Sequence, residues 1–167
     1  MSILSIQQRY RELGRLRLGA KAPSGAPKKL DSWRLTSQDA DLLHHAAKLW
    51  GGTVEPWIDD KHNEHQLLTT TNRLPVLIPH QDFANQSWME LWSKGGRQRR
   101  CDTVTCHLTG SDGTLTEVPC PCDTEDTPSC KPSTSLLVWL PDLPAIGCWS
   151  LHSTGWNAAQ ELTHSAQ

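Results

Sequence analysis

CDTVTCHLTGSDGTLTEVPCPCDTEDTPSC, residues 101–130, holds five of the six cysteines of this 167-residue chain, and its reading decides how the remainder is understood. Thiolates are soft, small and charged, and four of them close a tetrahedral structural zinc site with no position open to substrate. Cys120-Pro121-Cys122 presents two sulfurs from one tight turn, Cys130 follows after a loop containing Pro and Asp, and Cys101 closes the set from beyond a hairpin. Cys101, Cys120, Cys122 and Cys130 are therefore the expected ligands of one structural Zn2+. Cys106 alternates with Val104 and Leu108 and is expected to be a packed strand side chain; Cys106 or a histidine is the alternative donor. The spacing is not the paired CxxC of common zinc modules, so disulfides or buried free thiols are the competing reading. Disulfides need an oxidising compartment, and the N-terminus lacks the long apolar run of a signal peptide.

Outward from that knot, the chain is long enough for one domain with a real core. No stretch approaches the roughly 18 apolar residues of a membrane span. Eight Trp stand against one Tyr and one Phe, so tryptophan is the main bulky filler of the core and a candidate anchor for a partner. Net charge is only −2, but residues 1–100 carry 15 Lys+Arg against 10 Asp+Glu, whereas residues 101–167 carry one Lys against eight acids. A chain with one basic and one acidic half does not wrap DNA along its whole length.

In chain order, Ile3, Ile6, Tyr10, Leu13 and Leu16 fall at helical spacing, with arginines on the other faces, and predict a basic amphipathic helix over 1–18. Residues 19–29, with Pro23, Gly25 and Pro27, read as a linker, and residues 30–167 as the main domain with the knot at 101–130. Leu30–Leu35 reads as extended. A helix follows, with Thr36 as cap, Asp39 in its first turn, Ala40, Leu43, Ala47 and Trp50 as buried face, and Gly51-Gly52 as stop. Strands are expected at Thr53–Trp57, Gln66–Thr71, Leu74–Pro79, Ser135–Leu140 and Cys148–His152, the last two as a hairpin. A short helix is expected at Asn85–Ser93 and another from Asn157 to Leu162. His44 and His45 point about 100° apart on a helix and make a poor chelate, while His62, Glu64 and His65 read as a solvated loop cluster. Arg97-Gln98-Arg99-Arg100 is the densest positive charge, suited to phosphates or to a collar beside anionic thiolates. The fold class expected is α+β: a mainly antiparallel sheet from residues 53–79 and 134–152, two or three covering helices, and an inserted four-cysteine zinc knot.

The chain contains none of the motifs GxSxG, Walker A or HExxH, and a closed thiolate site offers no catalytic position, so an enzyme is not expected. The ordered segments LDSWRLTS, LWGGTVEPW, TNRLPVLIP, MELWSKGG with RRCD, CPC, and CKPSTSLLVWLPDLPAIGCWSLHSTGWNAAQEL resemble the recombination directionality factors of actinobacterial phages and their prophage relatives. The resemblance implies an accessory protein of the bacterial host cytoplasm that binds a large serine integrase on attachment-site DNA. It would switch recombination from integration (attP × attB) to excision (attL × attR), with little or no DNA binding alone and no membrane association. The family pattern continues past NAAQEL with a further helix and strands, so the chain reads as a short or truncated member. Some members carry a cysteine where Arg97 stands, and its absence favours the four-ligand set above. A zinc-stabilised DNA-binding module and, behind it, a metal-dependent hydrolase are the alternatives.

Overall fold

A computed structural model of the chain describes residues 11–21, 24, 26–59, 61–79, 84–110, 113–123 and 129–156. Among them are ten strands, one α-helix and one short 3-10 turn. The chain forms two compact units, one of the residues up to Pro79 with Leu137–Leu151, the other of the residues from there to Leu136 with those from His152 on. Residues 30–167 therefore fall across both units.

In the first unit, β1 (Glu12–Lys21) and β2 (Pro27–Ser37) form an antiparallel ribbon in which Leu16 faces Leu35 and Arg17 faces Arg34. The ribbon continues through β4 (Asn63–Leu68) to β3 (Val54–Ile58), both antiparallel. On its other side β1 pairs in parallel with β10 (Cys148–Ser153), which makes this sheet mixed. The helix expected over 1–18 is corrected for its second half, because Glu12 onward is strand; residues 1–10 lie outside the described residues. Gly14 and Gly19 weaken a helix here, and partners on both sides satisfy the extended backbone. The expected linker contributes Gly19–Lys21 to β1 and Pro27–Lys29 to β2.

Helix α1 (Ala40–Trp50) lies against β2, β3 and β4 and buries Leu42, Leu43, Ala46 and Trp50, while Leu35 of β2 and Leu67 of β4 are themselves fully buried. Each fully buried leucine contributes about 1.5–3 kcal/mol. Its cap is Asp39, whose carboxylate accepts from the Leu42 N–H at 3.0 Å, and not Thr36, which is buried in β2. Ser37 decides this register: its Oγ donates to the Leu13 carbonyl at 2.5 Å and accepts from the Asp39 N–H at 3.1 Å. Gly51 and Gly52, at φ 73° and 96°, stop the helix as expected. A side chain on Gly52 would meet the Leu68 carbonyl oxygen at 2.0 Å. The expected strand at Leu74–Pro79 is only an isolated bridge, Leu77 to Trp139, because Pro75 and Pro79 supply no ladder N–H.

In the second unit, β9 (Lys131–Val138, its last two residues belonging to the first unit), β5 (Asn85–Ser93), β6 (Gly96–Cys101), β7 (Thr105–Thr109) and β8 (Leu115–Pro119) form successive antiparallel pairs. The helix expected at Asn85–Ser93 is corrected to β5. Trp88, Leu91 and Trp92 fit a helical face, but Trp88, Glu90 and Trp92 equally fit one face of a strand, and pairing with both β6 and β9 decides it. The expectation of two or three helices is thus not met among the described residues, and Asn157–Leu162 lies outside them. Ala84, Leu136 and four cysteines, Cys101, Cys106, Cys120 and Cys130, are the buried apolar residues described in this unit. That core is small, and its middle is sulfur.

Candidate metal centre

The cysteine cluster is built by two hairpins and a turn. Cys101 ends β6 and stands directly opposite Cys106 on β7. Between them Asp102 accepts from the N–H groups of Val104 (2.9 Å) and Thr105 (2.7 Å) through one carboxylate oxygen, which closes a tight turn. Thr103 sits in this turn at φ 82°, a left-handed conformation that costs a threonine about 1–2 kcal/mol. Its backbone N–H is thereby aimed at the Cys101 sulfur. The Cys120 N–H donates to the Val104 carbonyl at 2.8 Å, which brings the 3-10 turn Pro121–Asp123 and its Cys122 under the hairpin.

The sulfurs of Cys101, Cys120 and Cys122 lie within 4.8 Å of one another, and those of Cys101 and Cys120 are 3.3 Å apart. A tetrahedral zinc with Zn–S bonds of about 2.3 Å would space its sulfurs by roughly 3.8 Å. The donor set therefore suits a thiophilic cation, and these three cysteines could hold one. Cys130, 3 % exposed, hydrogen-bonds with Cys122. Cys106 is fully buried against Cys101 and Cys120, as a packed side chain should be, and all six cysteines are free thiols. Burial, with Cys120 adding to it, pushes the Cys101 thiol up to about 11, and burial with Cys130 and Cys120 pushes Cys122 up to about 12. Such thiols ionise when a cation compensates the charge.

The three arginines of residues 97–100 are committed to different partners. Arg99 donates from Nε to the Cys130 sulfur at 3.0 Å and from Nη2 to Ser129 Oγ at 2.8 Å, with Nη2 4.0 Å from the Cys122 sulfur. It is the collar beside the thiols, and a guanidinium there offsets the negative charge of a metal thiolate set. Arg100 and Arg97 instead reach Glu90, whose side chain is only 3 % exposed; Nη2 of Arg100 lies 2.7 Å from Oε1 and Nη1 of Arg97 3.5 Å. Burial alone would raise the Glu90 pKa, but hydrogen bonds from Trp92, Arg100 and Ser133 outweigh it and hold the carboxyl below its ordinary value.

The histidines are placed elsewhere. His44 and His45 are exposed on α1. His62 is not simply solvated: it stacks on Trp57 with ring centroids 3.7 Å apart and meets Asp59 at 2.7 Å. Arg17 and Arg34 lie over the same Trp57 ring at 4.9 and 4.3 Å. Sequence spacing does not reveal this cluster, because its members come from three strands and a loop.

The family described as Gp3-like, recombination directionality factor-like, matches residues 13–167. The chain belongs to this Gp3-like family. The match runs through both units and spans every cysteine, so the thiol cluster sits inside the family region. No solved structure matches the chain significantly. Among the described residues, no helix of this recombination directionality factor-like protein is long and apolar enough to cross a membrane.

Proposed function

We propose that this chain binds a large serine integrase on attachment-site DNA in the bacterial cytoplasm and switches it from attP × attB integration to attL × attR excision, without cleaving DNA itself. The family match over residues 13–167 carries this reading. The site chemistry is compatible with it: closely set thiols cross-link chain, and with Cys130 as the fourth donor the set would leave no coordination position open to a substrate. Bound by Cys101, Cys120, Cys122 and Cys130, one Zn2+ would act as a structural cross-link and supply no reaction step. The chain's own groups set the site: the Thr103 N–H donates to the Cys101 sulfur, Arg99 Nε donates to the Cys130 sulfur, and the 3-10 turn places the Cys122 sulfur.

The test is direct. Purified with its cognate integrase, the protein should co-elute with it and support recombination of attL × attR substrates while suppressing attP × attB. Recombination of attL × attR that is no faster with the protein than without it, in a preparation that folds and carries its metal, would sink the reading.

A further inference from the structure

Arg17 and Arg34 are direct cross-strand partners in the β1–β2 ribbon. Like charges in that position repel, and a ribbon keeps such a pair at a cost in stability. Neither arginine has a carboxylate within ion-pair distance among the described residues. Arg34 Nε donates to the amide oxygen of Gln66 at 2.8 Å, and Arg17 Nε to the hydroxyl of Thr36 at 3.4 Å, both neutral acceptors. Burial and the charge of its neighbour lower the pKa of each: Arg15 acts on Arg17, and Arg17 on Arg34, with Glu64 and Glu12 partly compensating at Arg17 and Asp59 and Glu64 at Arg34. The shared Trp57 face, under both guanidinium groups at 4.9 and 4.3 Å, offsets part of this through cation–π attraction. Two acids, Glu55 and Asp59, also line the groove, and Asp59 is engaged by its own loop, accepting from the N–H groups of Lys61 (2.8 Å) and His62 (2.9 Å) and meeting the His62 ring at 2.7 Å.

The contrast within the chain is informative. Arg97 and Arg100 sit on a buried carboxylate and Arg99 on thiols, so the densest basic run is internally committed. Arg17 and Arg34 instead converge, with Lys28, on an open groove of about 940 Å³. Two guanidinium forks fixed at Nε, with terminal nitrogens making no hydrogen bond among the described residues, are preset for an oxyanion with several oxygens. A groove of that size is too large for one small anion and suits a repeating polyanion.

We propose that the Arg17–Arg34 pair over Trp57 is a contact for the phosphodiester backbone of duplex DNA. Two phosphates suffice only for weak binding alone, so the contact adds to an assembly already on DNA and does not make this protein a sequence reader. It is independent of integrase recognition, and its primary measurement, a DNA titration, contains no integrase.

The test titrates a fluorescent 30-base-pair duplex of arbitrary sequence with the full chain between about 20 and 200 mM salt. The double variant Arg17→Gln/Arg34→Gln should bind about 100-fold more weakly at 50 mM salt, and the slope of log K against log salt should fall by about 2, the counter-ion release of two phosphates. Arg73→Gln, which removes an exposed charge of the same unit, should change neither by more than about twofold. Equal DNA binding by the double variant and the parent, equal losses in the double variant and Arg73→Gln, or no binding by the parent at 20 mM salt would each overturn the proposal. So would loss of integrase binding by the double variant with an unchanged DNA titration, which would assign the groove to an acidic protein surface. Should the double variant fail to fold, arginine modification of the unaltered protein decides: duplex DNA should protect Arg17 and Arg34 from phenylglyoxal, and unprotected residues would refute the contact.

Discussion

At the residue scale, the second unit depends on charges and sulfurs that would be costly if left unpaired. Removing the cation from a set of buried thiolates exposes their repulsion, and a unit whose buried apolar residues are mostly cysteines has little else to hold it. Freshly purified protein should carry about one zinc per chain by elemental analysis. Chelation or Cys120→Ser should lower its stability by several kcal/mol, read as loss of protease resistance in residues 84–136. Metal-free protein with unchanged resistance would refute this. Glu90 is the second such residue. Its folded pKa lies below the ordinary 4.5, so its contribution is fully present above that value and is lost as pH falls through the depressed folded one. Glu90→Gln leaves Arg100 and Arg97 facing a neutral buried amide; with both arginines about one-third exposed, the expected loss at pH 7 is about 2–3 kcal/mol. In urea titrations the difference between parent and variant should shrink below pH 4. A constant difference would remove Glu90 ionisation as its cause.

At the element scale, strand β1 is the piece whose reading changed most between sequence and structure. Its Leu13 and Leu16 satisfy a helical period, but Gly14 is placed where no side chain fits: a Cβ there would meet the Thr36 carbonyl oxygen at 2.3 Å and the Trp149 ring at 2.6 Å. The register also shifts between Glu12 and Gly14, which marks a bulge at the same place. Gly14→Ala must push β2 or the buried Trp149 aside and should destabilise the first unit by about 1–3 kcal/mol, the cost of overpacking. A helix at this position would instead be stabilised by alanine. Chemical denaturation of the variant therefore separates the two by sign. β5 carries the same lesson: its tryptophans fit two periods, and its hydrogen-bonding partners, 40 or more residues away in β9, select the strand.

At the scale of the whole molecule, the proposed switch is a coupling free energy between this protein and two integrase arrangements. Moving that equilibrium from about 1:99 to 99:1 requires roughly 5.5 kcal/mol of differential binding. A few aromatic anchors can supply this, and Trp92 and Trp156 are both 62 % exposed. A binding mechanism must titrate and saturate. Excision should require at least one copy per integrase subunit, and integration should be inhibited over the same concentration range. Full switching at one copy per hundred integrases would refute a stoichiometric mechanism.

What the sequence determined by itself was local or chemical. Five clustered cysteines announced a thiol site, and Cys101, Cys120 and Cys122 do meet within 4.8 Å. The Gly51-Gly52 stop and the strands around Val54, Leu136 and Trp149 were legible because glycine conformation and alternating burial act within a few residues. The segment order pointed to a recombination directionality factor. Tertiary structure alone decided the rest. It made strands of Glu12–Lys21 and Asn85–Ser93, moved the helix cap from Thr36 to Asp39, divided the arginines of 97–100 between Glu90 and the thiols, and set Arg17 against Arg34 over Trp57. Each of these follows from partners distant in sequence, whose backbone hydrogen bonds and charges outweigh a few tenths of a kcal/mol of local preference per residue.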